Sequence, residues 1–200
     1  MLTKLFRPRI AETPPPSAQE KQAELPATAF RNLFAQQASS VSVVTFYVEE
    51  AGGRHLHGFT ATSVTPVSMD PPLALFCIGN QNRSARHLAR DSRIGISFLA
   101  ADQSELSARF AAKSELGGYA DVEIFEDKAG VPLLKGAVAN VEGAIKDLIP
   151  AGDHTIYLCR LGPAVLIPGG RPLLYHARTY HTLGEALRAL QPADTTGETD

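Results

Sequence analysis

Small hydroxyl residues are concentrated between Gly58 and Leu73, a segment that also contains the double proline Pro71-Pro72. Thr60, Thr62 and Ser63 bring three hydroxyl groups and their backbone N–H groups into one short stretch. Such groups suit a planar ligand that has several polar atoms and carries a phosphate. The segment therefore predicts a strand that cradles such a ligand, although Thr and Ser also simply suit an edge strand.

A metal site is the second chemistry to consider. His55 and His57 would point to one face of a strand, as metal-binding histidines do in cupins. The carboxylate expected a few residues later is absent between Gly58 and Ser63. We therefore expect no metal here.

The elements that would position these residues follow from hydrophobic patterning. Phe30, Leu33 and Phe34 predict an amphipathic helix that runs to about Ala38 and lies on a sheet. Two short helices are predicted at 84–90 and 103–110, the second opened by Asp102 as N-cap. Runs rich in β-branched and aromatic residues predict strands over 41–48, 56–61, 73–78, 94–99, 137–149, 155–166 and 173–176, with Gly52-Gly53 turning the first hairpin.

Strands with interspersed short helices favour a mainly β fold built as a small barrel. The 200 residues, of which 44% are apolar, can bury one sizeable core. We expect a flexible Pro-rich segment over 1–26, one folded domain over 27–183 and a polar tail over 184–200.

Charge and targeting signals exclude several classes of function. Lys and Arg total 19 against 21 Asp and Glu, so no broad basic field exists to bind nucleic acid or an anionic membrane. Cys77 and Cys159 each lie in an apolar run, which predicts buried thiols and no disulfide framework. Neither a signal peptide nor a membrane span is recognisable, so we expect a soluble, cytoplasmic protein.

Several motifs, taken in their order along the chain, resemble the short-chain flavin reductase family. The resemblance covers about 27–183, and it depends on the conjunction of the motifs. It implies a split β-barrel that binds FMN or FAD, forms a homodimer and passes a hydride from NADH or NADPH to the flavin. In many members a separate monooxygenase uses the reduced flavin. The motifs are Ser42–Thr45, Gly58–Pro72, Asn82-Arg83-Ser84, Ala101-Asp102-Gln103, Arg109-Phe110, Gly152-Asp153-His154 and Pro172–Tyr175.

The resemblance implies that the hydroxyl segment binds the flavin. Thr60, Ala61, Thr62 and Ser63 would run along the isoalloxazine ring and the ribityl chain, and Ser68 would also contact the cofactor. N–H donors aimed at the pyrimidine end of the ring would favour the reduced form, because reduction places negative charge there. Thr62 stands where the family often has Asn, which removes an amide from the ribityl contacts.

Asn82 and Ser84 match the family's phosphate-binding turn, with Arg83 and Arg86 nearby. A turn that enters a helix at Ser84 would expose free N–H groups and the positive end of the helix dipole. The alternative is that Ser84 is an ordinary N-cap and the arginines are solvated.

Three further residues are assigned to the flavin pocket by the resemblance. Arg109 would pair with phosphate or stack on a ring, and Phe110 would wall the pocket. Tyr175 would close it by stacking. The alternatives are capping plus core packing for Arg109-Phe110, and an ordinary barrel aromatic for Tyr175.

His154 matches the family position at the mouth of the flavin site, where the nicotinamide docks. Its imidazole would hydrogen-bond the carboxamide or supply the proton that accompanies flavin reduction. Since hydride transfer needs no protein acid, we expect His154 to position and tune, and its replacement to cost only part of the rate. The alternative is a turn histidine that packs on Tyr157.

Two other functions stay open. One is a flavoprotein of the same fold that carries electrons or senses without turnover, and the other is a barrel that binds haem or another planar ligand. The sequence contains neither a Gly-x-Gly-x-x-Gly motif nor a P-loop, so the nicotinamide nucleotide would bind in a groove over the flavin.

Overall fold

A computed structural model describes residues 24–50, 52–112 and 118–184. Most of the predicted Pro-rich segment (1–23) and nearly all of the predicted tail (185–200) lie outside the described residues. The chain divides into two compact units, Met1–Phe34 and Ala35–Asp200.

In the first unit, helix α1 covers Ala27–Phe34. The rings of Phe30 and Phe34 lie 4.6 Å apart, as expected for neighbours on one helix face. The helix ends four residues before the predicted Ala38. In the second unit, the carbonyl of Ala35 accepts a hydrogen bond from the Ala177 N–H at 2.8 Å, so it is not used to continue a helix.

The second unit is built on a seven-stranded antiparallel sheet in the order β3-β2-β6-β9-β10-β5-β4. A small sheet in the order β1-β11-β12 and a β7-β8 pair complete it. The strands are β1 Ser39–Ser40, β2 Ser42–Glu50, β3 Gly53–Ala61, β4 Thr65–Met69, β5 Pro72–Gly79, β6 Arg93–Phe98, β7 Ile124–Glu126, β8 Pro132–Leu134, β9 Ala139–Ala151, β10 His154–Leu166, β11 Leu173–His176 and β12 Thr179–Thr182.

Helices are few and short among the described residues. A 3₁₀ helix covers Arg83–His87, and helix α2 covers Ser104–Ala111. The sheets of the described residues leave β3 and β4 as open edges. This mainly β architecture with short helices confirms the predicted fold class, and the open edges agree with a split barrel.

Strand β2 lies between two hydrophobic clusters, because alternate side chains of a strand point to opposite faces. Val44 and Phe46 belong to a cluster that includes Phe76 and Tyr157, whose rings stack at 5.2 Å. Val43 belongs to the second cluster. The members of the second cluster are Val41, Val43, Leu99, Phe110, Tyr119, Leu134 and Leu173.

The hairpin predicted at Gly52-Gly53 is confirmed, and both glycines have positive φ angles of 112° and 117°. The strand predicted over 56–61 lies in β3, which ends at Ala61 as predicted, whereas β4, which follows after residues 62–64, was not predicted. Strand β9 continues through Pro150 to Ala151, two residues past the predicted end at 149. A proline is tolerated there because β6 pairs only with residues 139–144, which leaves that part of β9 with one neighbour.

The prediction that Asp102 caps helix α2 is wrong. Gln103 occupies the N-cap position and makes no side-chain capping bond. Its amide instead joins two backbone segments, accepting from the Ala100 N–H at 2.9 Å and donating to the Lys135 carbonyl at 2.8 Å.

Cys77 in β5 and Cys159 in β10 are both free. Cys159 is buried, and burial raises the pKa of its thiol to about 12, whereas Cys77 is only half-buried. No helix within residues 24–50, 52–112 and 118–184 is long and apolar enough to cross a bilayer.

Candidate functional site

Three predicted segments meet at the end of strand β5. The Cys77 N–H in β5 donates to Ser63 Oγ at 3.0 Å, which holds the turn after β3 against this strand. His154, the first residue of β10, pairs with Gly79, the last residue of β5. We call the resulting group, Thr60–Ser63, Gly79–Ser84 and Gly152–Thr155, the β5-end site.

Two of the three hydroxyls in the predicted cradle already have protein partners. Thr60 Oγ1 donates to the Ser107 carbonyl of α2 at 2.6 Å. Ser63 Oγ accepts from Cys77 and also lies 3.4 Å from the Cys77 carbonyl. Thr62 is exposed, and no hydrogen bond to a described residue engages its hydroxyl. The hydroxyls of Thr60 and Ser63 therefore shape the segment, and the hydroxyl of Thr62 is the one left for a ligand.

The predicted phosphate turn enters the 3₁₀ helix through Asn82. The Asn82 N–H donates to the Gly79 carbonyl at 2.8 Å, and Asn82 Oδ1 accepts from the Ser84 N–H at 2.9 Å. Asn82 is thus the cap, and Ser84 is buried with an exposed fraction of 6%. Arg83 and Arg86 are exposed beside this turn and give it a positive potential.

His154 is presented at the surface by a tight turn. Gly152 has a φ of 63°, a left-handed conformation that glycine adopts at little cost. The His154 side chain is 50% exposed, and its ring Nε2 lies 3.7 Å from the point that a Cβ on Gly79 would occupy. Tyr157 is buried in the core, on the opposite face of the strand from His154, so the structure does not support the alternative of a histidine packed on Tyr157.

Asp153 fixes the orientation of this imidazole. His154 Nδ1 and Asp153 Oδ1 are 2.7 Å apart, and the hydrogen bond from His154 lowers the pKa of the Asp153 carboxyl. An ionised carboxylate only accepts, so Nδ1 carries the proton of the neutral ring. Nε2 is then the nitrogen available to a ligand. It accepts a hydrogen bond through its lone pair when the ring is neutral, and it donates one when the ring is charged.

Sequence reasoning missed Asn80. Its backbone N–H donates to the Asp153 carbonyl at 2.9 Å, and its side chain bonds to Gly152 and Thr155. The available signal was an asparagine in a polar run directly after an apolar strand, but its partners lie more than 70 residues away in sequence.

Helix α2 contacts the β5-end site through the Thr60–Ser107 bond, but Arg109 and Phe110 have their own partners outside that site. Arg109 forms an ion pair with Asp121, whose pKa is lowered by the guanidinium, and it donates to the Gly118 carbonyl at 2.5 Å. Phe110 is buried and stacks on Tyr119 with ring centroids 4.2 Å apart. These contacts attach α2 to its surroundings, which corresponds to the core-packing alternative.

Tyr175 and Ser68 occupy different parts of the molecule. Tyr175 in β11 is partly exposed and meets Tyr180 edge-on at 5.5 Å. The Tyr180 hydroxyl lies 2.9 Å from Ser107 Oγ, and Ser107 accepts from Thr60, so Tyr175 is linked to the hydroxyl segment. Ser68 is half-buried in β4 opposite Leu73, so the structure does not bring it to the Gly79 end of β5.

Two other features contain titratable groups. His57 is buried, and its Nε2 has no hydrogen-bond partner among the described residues; burial and then nearby His87 lower its pKa below 6.5. A cavity of about 290 Å³ is lined by Arg54 and Arg93. These arginines are already paired with Glu126 and Glu142, and the cavity shares no residue with the β5-end site. Within the described ranges no three His, Cys, Asp or Glu side chains could hold a metal ion.

The β5-end site has the donor set that a flavin nucleotide needs. The exposed cations Arg83 and Arg86 lie beside a capped turn for the phosphate, and Thr62 offers a hydroxyl to the ribityl chain or ring. Gly152 borders open space, since an added Cβ there would meet nothing within 4 Å, whereas a Cβ on Gly79 would meet the His154 ring at 3.7 Å. The residues of the β5-end site are therefore compatible with a bound flavin nucleotide.

Comparison with known proteins gives a consistent result. The domain family described as flavin reductase like matches residues 34–184. The chain is 35% identical to the actinorhodin polyketide dimerase of Streptomyces coelicolor over 84% of this chain and 92% of the relative. It is 30% identical to the reductase component of 4-hydroxyphenylacetate 3-monooxygenase of Pseudomonas aeruginosa, over 81% of this chain and 95% of the relative. The structure of the NADH:FAD oxidoreductase SgcE6 of Streptomyces globisporus, solved with NAD and FAD fragments, superposes with a TM-score of 0.72 at 31% identity, covering 80% of this chain and 94% of that one.

Proposed function

This chain belongs to the flavin reductase-like family, and we propose that its β5-end site transfers a hydride from NAD(P)H to FMN or FAD. The protein is an NAD(P)H:flavin oxidoreductase. The proposal assigns the reaction to three segments that the fold brings together, 60–63, 79–84 and 152–155.

One observation supports this assignment above the others. Ser63 is bonded to Cys77 two residues before Gly79, and His154 pairs with Gly79 itself. A hydroxyl-bearing turn, a cationic turn and an exposed imidazole therefore surround one strand end. These three features suit the flavin ring, the flavin phosphate and the nicotinamide, respectively.

Different segments of the β5-end site would bind different parts of the flavin nucleotide. The phosphate would lie at Asn82–Ser84, where Arg83 and Arg86 neutralise its charge. The ring would lie along Thr60–Ser63, where Thr62 and backbone N–H groups of the turn donate to its polar edge. Thr60 and Ser63 would keep that backbone in place through Ser107 and Cys77.

His154 would dock the nicotinamide. Its Nε2 lies next to Gly79, which has no side chain, while Asp153 holds Nδ1. The neutral imidazole can accept a hydrogen bond from the carboxamide N–H of the nicotinamide. The charged imidazolium can donate a proton to water or to the flavin. Bound flavin supplies the hydride acceptor. Because the histidine orients and does not itself react with the hydride, its loss should reduce the rate without abolishing it.

We also propose roles for the other predicted site residues. Tyr175 would cover the flavin from the β11–β12 hairpin, supported by its link to Thr60 through Tyr180 and Ser107. Arg109 and Phe110 would act indirectly, by packing α2 below β3. Ser68 would contact a part of the cofactor that extends along β4.

We propose that the active form is a homodimer. The outer edge of β4 has no partner strand among the described residues, and apolar side chains are exposed on this strand and at the end of β10. Met69 is 96% exposed and Leu166 is 70% exposed, which is costly for a free surface in water. Light scattering after size exclusion should give twice the mass of the 21.4 kDa chain; a monomer at all concentrations would contradict this.

The reduced flavin would serve a separate monooxygenase, as the name of the P. aeruginosa relative indicates for that protein. We also propose a cytoplasmic location, since NAD(P)H is the reductant; cell fractionation tests it.

Steady-state oxidation of NADH and NADPH with FMN, FAD and riboflavin tests the function. We expect nucleotide oxidation that depends on added flavin. A tightly bound yellow cofactor that NAD(P)H does not bleach would favour the electron-carrying alternative, and a Soret band would favour a haem-binding barrel.

A further inference from the structure

We propose that Asn80 is the positioning residue that fixes the His154 turn relative to the flavin phosphate turn, so that NAD(P)H docking depends on it. This inference rests on the proposed function of the β5-end site. Asn80 is the first residue after β5, and it lies between Gly79, which pairs with His154, and Asn82, which caps the phosphate turn.

Asn80 uses three of its polar groups on the opposite turn. Its backbone N–H donates to the Asp153 carbonyl at 2.9 Å. Its Nδ2 donates to the Gly152 carbonyl at 3.2 Å, and its Oδ1 accepts from Thr155 Oγ1 at 2.9 Å. The bonds reach Gly152, Asp153 and Thr155, which flank His154 on both sides.

The turn needs such an attachment because it lies at the exposed end of a long hairpin. Residues 149–154 are all exposed, and β6 does not reach this part of β9. Gly152 adds backbone freedom at the tip. Two kinds of contact hold this turn against the end of β5. One is the backbone pairing of β10 with β5, and the other is the pair of hydrogen bonds from the Asn80 side chain to Gly152 and Thr155.

Only a carboxamide of this length makes both side-chain bonds. One end must donate to the Gly152 carbonyl and the other must accept from the Thr155 hydroxyl. An aspartate would keep the second bond, but it would place an anion against the Gly152 carbonyl and close to Asp153. An alanine would lose both bonds.

The phosphate turn does not depend on the Asn80 side chain. Asn82 bonds to the Gly79 carbonyl through its backbone and to the Ser84 N–H through Oδ1. Loss of the Asn80 carboxamide should therefore loosen His154 and leave flavin binding in place. This difference separates positioning from general destabilisation.

The test compares Asn80→Ala and Asn80→Asp with the control Gln37→Ala, since Gln37 is an exposed amide side chain outside the β5-end site. We expect KM for the nicotinamide nucleotide to rise about five- to tenfold in both Asn80 variants, with the dissociation constant of FMN within about twofold of the starting protein. Gln37→Ala should match the starting protein. Unchanged KM in Asn80→Ala, or equal losses of nucleotide and flavin affinity, would overturn the proposal.

A second variant covers the case in which the Asn80 variants do not fold. Thr155→Val removes one of the two side-chain bonds and keeps the volume of the side chain, so KM should rise by a smaller factor of about two to three. An unchanged KM in this variant would also count against the proposal. If the starting protein oxidises no NAD(P)H with any flavin, the proposed function fails; if it is active and the variants show no KM effect, only the role of Asn80 fails.

Discussion

Asp153 and His154 form a hydrogen-bonded pair at the surface, with Oδ1 and Nδ1 2.7 Å apart. The pair is adjacent in sequence, and the left-handed Gly152 before it makes the turn that presents both side chains. The bond leaves Nε2 as the imidazole atom available to a ligand.

Asp153→Ala should lower kcat/KM for the nicotinamide nucleotide about three- to tenfold, because the imidazole loses the partner that selects its tautomer and orientation. Asp153→Asn, which keeps an acceptor oxygen but no charge, should lie between the alanine variant and the starting protein. Steady-state kinetics at saturating flavin measure the effect. Equal activity of all three proteins would show that the pair is irrelevant to docking.

Arg83→Glu should weaken FMN binding about five- to tenfold through repulsion of the phosphate, and it should leave riboflavin binding unchanged because riboflavin has no phosphate. Flavin fluorescence titrations measure both constants. Arg160→Glu is the matched control, since Arg160 is an exposed arginine of β10 opposite Leu73. A loss of riboflavin affinity equal to that of FMN would place the phosphate elsewhere.

Gly58→Ala should lower the free energy of unfolding by about 1–3 kcal/mol through overpacking. A Cβ at this position would lie 2.6 Å from the Val44 carbonyl oxygen and 2.9 Å from the Phe110 ring. Gly143→Ala in β9 serves as control, because its nearest neighbour would be at 3.4 Å, an ordinary contact. Urea denaturation of both variants tests this close packing, and a neutral Gly58→Ala would contradict the close approach of Val44 and Phe110 to this glycine.

The stability of the protein should fall as the pH drops below about 6.5, in part through His57. Burial lowers the pKa of His57 in the folded state below 6.5, the ordinary value for the unfolded chain. At a pH between the folded-state and the unfolded-state pKa, the unfolded chain binds more protons, so lowering the pH favours unfolding. His57→Phe removes the titration and the unpaired Nε2, and its Tm should decline less between pH 7.5 and 5.5 than that of the starting protein. Parallel declines would show that His57 does not contribute.

The sequence predicted most of the longer strands, because their signals are local. The Gly52-Gly53 hairpin and the strand Leu173–His176 follow from turn glycines and β-branched or aromatic runs. The cap of α2 was assigned to Asp102 on residue type, but Gln103 occupies that position and uses its amide to hold Ala100 and Lys135.

The roles of hydroxyl and amide side chains in the site were less accessible to sequence reasoning. Thr60 bonds to Ser107, and Asn80 bonds to Gly152, so each role depends on a partner far along the chain that pairing of the strands brings near. Residue type indicates that such a group needs a partner, but it does not identify which one. Short strands such as Ser39–Ser40 and Ile124–Glu126 carry too few residues for a periodic signal.

A crystal structure of the protein with FMN and a nicotinamide nucleotide tests the central claim most directly. We predict the FMN phosphate within hydrogen-bond distance of Asn82–Ser84, the ring against Thr60–Ser63, and the nicotinamide beside His154 Nε2. A flavin bound away from these segments, for example in the cavity lined by Arg54 and Arg93, would contradict the account.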